Sequence, residues 1–320
     1  EGDGTTASAN ASHAEGKSTL TKKQYCHAEG NGTVAGNDTS TATNGESAHA
    51  EGNMTTASAS YSHAEGSGTT ASGNGSHAEG IGSTASNSCA HAEGASTTAS
   101  AYGSHAEGVY TIASGEAQHV SGRYNVENST VGNFLIVGNG SSVSARSNSF
   151  RVDTNAVYGN GPYNSSGADY AEYFEWLDGN EGAEDRAGRF VTLDGDKIRL
   201  ANANDDFILG IVSGNASVIG DSHDDQWAHM YERDIFGRFI FEDVEIPAIT
   251  EQIDEDHTEI LVPAHMEHRL KLNPEYDNTQ TYLPRSQRSE WDAVGMVGKL
   301  VALDDGTCQV NGYCAPGDGG

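Results

Sequence analysis

Histidine and glutamate recur together along the first third of this 320-residue sequence. A His-Ala-Glu-Gly tetrad repeats with a 14-residue period, apart from one longer interval between His27 and His49, and a degenerate copy begins at His119. Imidazole and carboxylate groups can bind a metal ion, or they can hydrogen-bond to each other. The residues of the complete copies are His13, His27, His49, His63, His77, His91, His105, Glu15, Glu29, Glu51, Glu65, Glu79, Glu93 and Glu107.

Two interpretations of these columns are open. Histidines from three symmetry-related chains could complete a trigonal metal site on a threefold axis. A hydrogen-bond ladder, in which each imidazole donates to a glutamate or carbonyl group of a neighbouring coil or chain, is favoured, because a metal site normally occurs once and not at every repeat. We therefore expect a structural ladder without metal or cofactor. Acidification below about pH 6 should charge the histidines and loosen this region.

The elements that position these side chains follow from the period. A second motif, Thr-Thr-Ala-Ser, lies between the tetrads, as at Thr55–Ser58 and Thr69–Ser72. Two short alternating segments joined by Gly, Asn and Ser fit one coil of a β-solenoid. Alternation places His13 and Glu15 on one face of a strand and Ala14 on the other. Alanine is therefore expected to line the interior in two columns, one from the tetrads and one from the second motif.

The alanine lining has a consequence for assembly. Burial of apolar surface contributes about 25 cal/mol per Å², so a coil lined by methyl groups gains little from burial. We expect neighbouring chains to supply the missing burial, in a parallel homotrimer. The one long interval predicts a bulging loop around Asn37–Asn44.

Residues 1–122 resemble the YadA-like head of trimeric adhesins, a left-handed parallel β-roll whose three copies pack into a shaft. The Ser-His-Ala-Glu-Gly form of the repeat is also similar to that of Gram-positive phage fibres. The copies in this form are Ser12–Gly16, Ser62–Gly66, Ser76–Gly80 and Ser104–Gly108.

Composition limits the classes of function. The formal net charge of -29 argues against binding to nucleic acid or anionic membranes, because both require clustered Lys and Arg. Absence of an apolar run of about 18 residues predicts no membrane insertion. With 35% hydrophobic residues and 40 glycines, a single large globular core is not expected.

The pattern changes twice after the repeats. Residues 123–168 hold short apolar bursts between Gly, Asn and Ser, which predict a β-rich neck or connector. Residues 169–320 contain alternating runs that read as strands of a compact β-rich domain, and Ser286–Val301 is a candidate helix. The predicted fold is thus all-β, with a trimeric left-handed solenoid shaft over residues 1–122, the connector and this domain.

Residues 169–320 resemble the intramolecular chaperone and autoproteolysis domain of phage neck-appendage and tailspike proteins, a family of glutamic self-cleaving peptidases. The resemblance rests on three segments, Gly167–Trp176, Phe190–Gly195 and Ile208–Asn215. In the self-cleaving relatives the cut precedes the aspartate of a Ser-Asp-x-x-Glu motif. The serine hydroxyl attacks its own carbonyl group, and the glutamate assists proton transfer.

That motif aligns with Ala168, Asp169 and Glu172. The cut would fall between Ala168 and Asp169, but alanine has no hydroxyl nucleophile. The resemblance therefore implies a cleavage motif that is inactive in this chain, and no turnover enzyme is expected.

Together these features predict a structural trimeric tail or neck appendage fibre of a phage or prophage, which attaches the extracellular virion to a host surface. Expected partners are two further copies of the chain, other virion proteins, and a host cell-surface glycan or protein receptor. The C-terminal domain is expected to set the trimer register, because a shift of one repeat between chains preserves nearly every contact.

Two alternatives stay open. A bacterial trimeric surface adhesin would need a membrane anchor, whereas the sequence shows the chaperone-like domain. A polysaccharide-degrading tailspike would need two carboxylates about 5–9.5 Å apart in a cleft, and the evenly repeating glutamates offer no unique pair. Its catalytic part would then lie outside this segment.

The cysteines predict no disulfide. Cys26 and Cys89 lie several coils apart in the expected solenoid. Cys308 and Cys314 flank Asn311–Gly312, and a two-residue hairpin there would place their sulfurs on opposite faces.

Overall fold

A computed structural model gives the fold and describes residues 1–37, 45–130, 132–154, 156–223, 227–254, 257–262 and 264–320. The chain divides into two compact units, Glu1–Tyr163 and Asn164–Gly320. Both are built from β-strands, and the described residues contain no α-helix, which confirms the predicted all-β class. Nothing helical in that part of the chain is long and apolar enough to cross a membrane. The division at residues 122 and 168 stays a prediction.

The repeat region forms two short strands per coil. In chain order the strands are β1 (Gly2–Asp3), β2 (Thr6–Ala7), β3 (His13–Lys17), β4 (Leu20–Thr21), β5 (His27–Asn31), β6 (Val34–Ala35), β7 (His49–Asn53), β8 (Thr56–Ala57), β9 (His63–Ala64), β10 (Thr70–Ala71), β11 (His77–Ala78), β12 (Thr84–Ala85), β13 (His91–Ala95), β14 (Thr98–Ala99), β15 (His105–Val109), β16 (Ile112–Ala113) and β17 (His119–Arg123).

These strands stack into two parallel sheets, one of odd-numbered and one of even-numbered strands. Pairing follows the repeat, so that His77 lies beside His91 and Thr70 beside Thr84. His27 pairs directly with His49 across the one long interval of the sequence. The predicted β-solenoid is confirmed. The loop expected around Asn37–Asn44 lies, beyond Asn37, outside the described residues.

The interior of the solenoid is made of small side chains. Both predicted alanine columns are fully buried over most of their length; their members with no exposed surface are Ala28, Ala50, Ala64, Ala78, Ala92, Ala106, Ala35, Ala57, Ala71, Ala85, Ala99 and Ala113. A further buried column consists of hydroxyl residues, namely Thr19, Thr33, Thr55, Thr69, Ser83, Thr97 and Thr111. Each coil therefore buries few apolar atoms, as the composition predicts.

The tetrad glycine is required by the stacking of the coils. Gly66 has a φ of +100°, a conformation that L residues rarely adopt, and a Cβ there would lie 2.2 Å from the carbonyl oxygen of Gly80. The same contact recurs from coil to coil, for example between Gly80 and Gly94. Only glycine lets successive coils approach at the spacing of a β-sheet.

Three further strands complete the first unit, β18 (Asn133–Asn139), β19 (Asn148–Asp153) and β20 (Val157–Gly159). Strand β18 pairs in parallel with β17, and β19 and β20 add antiparallel strands. Larger residues replace alanine in the interior here, because Val120 and Ile136 are both fully buried. The predicted β-rich connector is therefore a set of strands that extends the first sheet.

The second unit contains β21 (Asp169–Glu175), β22 (Phe190–Asp194), β23 (Lys197–Leu200), β24 (Gly210–Val212), β25 (Val218–Gly220), β26 (Phe241–Ile246), β27 (Ile249–Asp254), β28 (His257–Val262), β29 (His265–Leu270), a 3₁₀ turn (Arg285–Gln287) and β30 (Trp291–Gly298). Six strands form its main sheet in the order β23-β22-β24-β30-β21-β25, and β26 with β29 and β27 with β28 form two-stranded ribbons. The core of this sheet holds Trp176, Val191, Ile198, Val212 and Val294.

The candidate helix over Ser286–Val301 is wrong. Apart from the turn at Arg285–Gln287, this segment is the central strand β30, which pairs with both β21 and β24. Pairing on both edges satisfies its backbone groups and overrides a local apolar pattern that fits either a helix or a strand.

The expected geometry of the last two cysteines is also wrong. The sulfur atoms of Cys308 and Cys314 lie 3.6 Å apart, because the chain turns at this point without forming a two-stranded hairpin. All four cysteines are free, as predicted, with Cys26 buried and donating to the carbonyl oxygen of Gly45.

Candidate functional site

The aligned cleavage motif lies at the start of β21. This strand runs antiparallel to β30 on one edge and parallel to β25 on the other. Ala168, just before the strand, is exposed, whereas Asp169 is only 5% exposed. The backbone of the Ala168–Asp169 peptide is thus fixed within a sheet while the side chain of Ala168 faces open space.

The two carboxylates of the motif do not meet. Strand alternation puts Asp169 with the buried Ala171 on one face, and Tyr170 with Glu172 on the other. The Tyr170 hydroxyl donates to Oε1 of Glu172 at 2.5 Å. Oδ2 of Asp169 is buried without a hydrogen-bond partner among the described residues.

Backbone groups hold both carbonyl oxygens next to the aligned bond. The N–H of Lys299 donates to the Ala168 oxygen at 3.2 Å, and the N–H of Ser217 donates to the Asp169 oxygen at 2.7 Å. Gly298 packs against the same peptide, since a Cβ there would lie 2.4 Å from the Ala168 oxygen. Its φ of +127° also favours glycine. Sequence reasoning missed these residues, because they are distant in sequence and reach the motif through strand pairing.

The histidine column forms a continuous stack on the odd-numbered strands. Ring centroids of neighbouring histidines from His13 to His119 are 4.6 to 4.9 Å apart, and adjacent planes differ by 2° to 14°. The spacing is that of the strands that carry them. The structure therefore brings all the predicted ladder histidines together on one face.

Glutamates lie beside the stack at ion-pair distance. His13, His27 and His49 contact the glutamate of their own tetrad, with Nε2 to Oε2 distances of 3.6 to 3.9 Å. From His63 onwards each histidine contacts the glutamate of the preceding coil at 3.2 to 3.9 Å. The pair His105–Glu93, at 3.2 Å, also has hydrogen-bond geometry.

The crowding of carboxylates alters their acidity. A hydrogen bond shared with Glu65, together with burial, raises the pKa of Glu51 to about 7. Hydrogen bonding to Glu93 and Glu65 raises the pKa of Glu79 to about 7. Hydrogen bonds from Glu79 lower the pKa of both Glu65 and Glu93. From Glu51 to Glu93, glutamates with a raised pKa thus alternate with glutamates with a lowered pKa, which limits the repulsion between neighbouring carboxylates.

Burial favours the neutral form of three of the histidines. Desolvation lowers the pKa of His49, His63 and His91, and neighbouring histidines add to this effect. These three imidazoles are therefore shifted towards the neutral form, beside Glu51 and Glu79, whose pKa is raised to about 7.

The donor atoms of the ladder lie close together in small groups of His and Glu side chains. Among the described residues, five groups of three His and Glu side chains have donor atoms within 4.8 Å of one another, for example His63, Glu65 and His77. A zinc-type site needs donors that converge at about 2.0–2.2 Å from one point. The Nε2 atoms of His27, His49, His63, His77, His91 and His119 are buried and make no hydrogen bond within the described residues, so the hydrogen-bond and the metal interpretations of the ladder both stay predictions.

Hydroxyl groups inside the solenoid are a second structural feature that the sequence analysis missed. Thr55, Thr69 and Thr111 each donate Oγ1–H to the carbonyl oxygen of the preceding tetrad glutamate, at 3.0 to 3.1 Å. This hydrogen bond links the corner of the coil to the strand that carries the glutamate. Recurrence of threonine at the first position of the Thr-Thr-Ala-Ser motif was the available signal.

The fold defines a class: a β-solenoid protein that carries a β-rich C-terminal unit. The profile of the Peptidase_G2 family, described as an IMC autoproteolytic cleavage domain, matches residues 109–319. The chain belongs to this family. The match begins in the last coils of the solenoid, well before the residues on which the sequence resemblance rests.

Similar proteins come from phages of Bacillus and from a Bacillus genome. The pre-neck appendage protein of Bacillus phage B103 is 34% identical over 152 residues, covering 48% of this chain and 16% of that protein. The pre-neck appendage protein of phage phi29 is 32% identical over 151 residues, covering 47% and 16%. The putative phage-related protein YobO of Bacillus subtilis is 33% identical over 171 residues, covering 51% and 19%. The chain therefore spans less than a fifth of the length of these relatives.

Among solved structures, the pre-mature gene product 12 of bacteriophage phi29 is similar to this chain with a TM-score of 0.55. The superposition covers 99% of this chain and 35% of that one, at 20% sequence identity. At this identity the similarity concerns the fold.

Proposed function

We propose that this chain is part of a trimeric phage appendage fibre, in which the solenoid is the shaft and the C-terminal unit sets the register of the three chains. The observation that carries the proposal is the combination, in one chain of the Peptidase_G2 family, of an in-register repeat solenoid with a non-repetitive β unit. The names of the relatives, pre-neck appendage proteins, support a location in the virion.

The need for a register follows from the pairing within the solenoid. His pairs with His, Ala with Ala and Glu with Glu across neighbouring coils, as in His91–His105 and Glu93–Glu107. A chain displaced by one coil against its partners would present nearly the same surface to them. A non-repetitive unit that associates first can fix the offset, after which the shaft assembles from it.

Small interior side chains support the trimer. The interior columns hold mainly methyl and hydroxyl groups, so each coil gains little from burial within its own chain. Large apolar side chains remain outside, with Met54, Tyr61 and Ile81 all more than 60% exposed. Packing of three solenoids in the YadA-like manner would bury part of this surface.

A receptor on the host cell is the proposed target of the fibre. Tyr25 and Tyr61 lie at corners of the solenoid with φ of 60° and are exposed. Tyrosine rings in such positions offer flat faces for a host cell-surface glycan or for a protein receptor.

The C-terminal unit is proposed to stay attached to the shaft. The self-cleaving motif that this chain resembles has a serine at the position of Ala168, and alanine offers no hydroxyl for the reaction. Asp169 and Glu172 are proposed as remnants of the cleavage motif. The mass of the denatured chain tests this part directly, because a cut at this bond would give two fragments.

The register role is tested by removing the C-terminal unit at two different times. A chain of residues 1–168 made alone should aggregate or give assemblies of mixed mass under native conditions. The control carries a protease site in place of the exposed residues 164–166 and is cut only after the full chain has assembled. It should leave homogeneous trimeric shafts. Uniform trimers from the 1–168 chain would contradict the proposal.

A further inference from the structure

Cys308 and Cys314 lie side by side in the C-terminal unit, outside both the solenoid and the aligned cleavage motif. Their sulfur atoms are 3.6 Å apart, and both side chains are exposed. The sulfur atoms of a disulfide bond are about 2.05 Å apart, so an approach of about 1.5 Å would join them. The segment around the two cysteines decides whether this proximity is held in place.

Two aspartates hold the backbone that leads to Cys308. Oδ1 of Asp304 accepts the N–H of Gly306 at 2.8 Å and the N–H of Cys308 at 3.3 Å. Oδ1 of Asp305 accepts both the N–H and the hydroxyl group of Thr307, at 2.9 and 2.6 Å. Aspartate side chains that accept neighbouring N–H groups are typical of tight turns. Cys308 therefore has a defined position although it lies on the surface.

The chain then reverses and brings Cys314 back towards Cys308. The N–H of Gly312 donates to the carbonyl oxygen of Gln309 at 2.8 Å, which closes a turn. Asn311 adopts a φ of +64°, a left-handed conformation that asparagine tolerates better than most residues. The residues between the two cysteines thus form a turn with its own hydrogen bond.

Both sides of this segment are anchored next to β22. The N–H of Leu303 donates to the carbonyl oxygen of Gly188 at 2.9 Å. Nη1 of Arg189 donates to the carbonyl oxygen of Gly319 at 2.8 Å. The two cysteines line a cleft of about 860 Å³ together with Arg189, so a small reagent can reach their sulfur atoms.

We propose that Cys308 and Cys314 are a redox-active pair, which forms a disulfide bond within one chain when it meets a small-molecule disulfide. The bond would close the turn and fix residues 314–320 beside β22. This inference does not depend on the fibre function proposed above.

The bond forms by two thiol–disulfide exchanges. The sulfur of Cys314 attacks one sulfur of the oxidant, whose S–S bond breaks and releases one thiol. The sulfur of Cys308 then attacks the sulfur of Cys314 and releases the second thiol. Both protons end on the released thiols, so the two cysteines are oxidised and the small disulfide is reduced.

The surroundings of Cys308 set the order of these steps. A hydrogen bond shared with Cys314, and a second one with Asp304, raise the pKa of Cys308 to about 11. Cys308 therefore stays a thiol at neutral pH. Because the thiolate is the attacking form, the first attack is assigned to Cys314.

The test equilibrates the full chain with reduced and oxidised glutathione, blocks free thiols with iodoacetamide and reads the peptides by mass spectrometry. Cys89 is the internal reference, because it is exposed and has no second cysteine beside it in the described part of the chain. With reduced glutathione at about 1 mM, the bond between Cys308 and Cys314 should form at a ratio of oxidised to reduced glutathione about 100-fold smaller than glutathione addition to Cys89. Two thiols held in contact have a high effective concentration, which a single thiol lacks.

A digest shows directly which atoms are joined. Chymotrypsin cuts after Tyr313, which lies between the two cysteines, and the blocked chains are unfolded first so that the site is reached in every sample. In the oxidised chain, residues 314–320 should stay attached to the fragment that contains Cys308 until dithiothreitol is added. The reduced chain should release them without reductant.

Serine variants separate the pair from the other thiols. Cys308→Ser should take up one glutathione at Cys314 and should release residues 314–320 without reductant. The matched control, Cys89→Ser, should form the bond at the same glutathione ratio as the unaltered chain. Fluorescence of the 3 tryptophans should be unchanged in both variants, because both replaced side chains are exposed.

Two results would overturn the proposal. In the first, Cys308 and Cys314 each bind glutathione at the ratio found for Cys89. In the second, the bond joins two chains, which a denaturing gel without reductant shows as a doubled mass. Neither result affects the proposed fibre function, which depends on the native masses of the shaft.

Discussion

Nε2 of His105 lies 3.2 Å from Oε1 of Glu93, the glutamate of the preceding coil. The pair joins two coils through side chains in addition to the backbone ladder. Because stacked histidines and glutamates repeat along the solenoid, the charge state of one group depends on its neighbours above and below. We therefore expect the stability of the solenoid to depend on pH, and single substitutions should separate the contribution of the glutamates from that of the histidines.

Replacing Glu79 by Gln should stabilise the solenoid at pH 8. The pKa of Glu79 is raised to about 7 from 4.5, so between these values the folded chain binds more protons than the unfolded chain. The free energy of unfolding contributed by Glu79 consequently falls as the pH rises through this window. A glutamine mimics the protonated acid, and its advantage should shrink towards pH 5. Far-UV circular dichroism melts at pH 5 and pH 8 measure the difference.

Glu116→Gln is the matched control for this prediction. Glu116 is exposed at a corner, away from the glutamate column, so its replacement should shift melting by a small amount. A Glu79→Gln variant with a lower melting temperature than the unaltered chain at pH 8 would contradict the hydrogen bonding between neighbouring glutamates of the column.

The histidines should make the solenoid less stable as the pH falls, which is the opposite of the effect of Glu79. The pKa values of His49, His63 and His91 are lowered, so below their ordinary value of 6.5 the unfolded chain binds more protons than the folded chain. Their contribution to stability is lost as the pH falls through this range. The sign agrees with the loosening below about pH 6 expected from the sequence. Acidification has the opposite effect through Glu51 and Glu79, because their raised pKa means that the folded chain favours their protonated forms. The sequence could not reveal this second effect.

Exchanging Gly66 for alanine should destabilise the solenoid far more than exchanging Gly68. A Cβ on Gly66 would lie 2.2 Å from the oxygen of Gly80, whereas nothing lies within 4 Å of a Cβ on Gly68. Both residues have positive φ, which costs about 1 kcal/mol for alanine in either case. The steric contact should at least double that cost for Gly66→Ala. Hydrogen exchange of peptides from neighbouring coils measures the local effect, and equal losses would contradict the stacking argument.

The repeat was enough to predict the solenoid because every coil gives the same information. His13, Ala14 and Glu15 alternate on a strand, and alternation alone assigns the buried face. The hydroxyl column containing Thr69 was not predicted, because a buried threonine is recognised only when its acceptor, here the carbonyl oxygen of Glu65, is in place.

The C-terminal site was less accessible to sequence reasoning. The motif at Ala168–Glu172 could be aligned, but its surroundings depend on β30, which lies near the other end of the C-terminal unit in the sequence. Local pattern cannot place Lys299 against Ala168. For the same reason Ser286–Val301 was a candidate helix. Long-range pairing decided both.

Replacing Trp176 by Phe should destabilise the C-terminal unit by about 1–3 kcal/mol, the cost of an unsatisfied buried polar group. The Trp176 Nε1–H donates to Oδ2 of Asp292 at 2.8 Å. Burial raises the pKa of Asp292, and this hydrogen bond opposes the effect. Without the donor, the ionised carboxylate is disfavoured, so the loss should be larger at pH 7 than at pH 4. Fluorescence of the two remaining tryptophans follows unfolding in urea.

Adding Asp292→Asn to Trp176→Phe separates the charge from the packing. The double variant removes the buried carboxylate and should recover part of the loss at pH 7, with little recovery at pH 4. Equal losses for the single and double variants at both pH values would show that the indole contributes through packing alone.

Deleting one full repeat, Ser67–Gly80, should remove one coil and leave the solenoid intact. The deletion joins Gly66 to Ile81, and Ser67 and Ile81 occupy equivalent positions, because they pair directly across neighbouring coils. His63 would then pair with His91, and all interior columns would continue.

The shorter deletion Ser67–Glu79, which keeps Gly80, shifts every later residue by one position and exchanges the buried and exposed faces of each strand. The first variant should melt as one cooperative shaft with slightly reduced β signal, and the second should lose protection from hydrogen exchange around the junction. Comparable protection in both would mean that the coils do not depend on the register of the repeat.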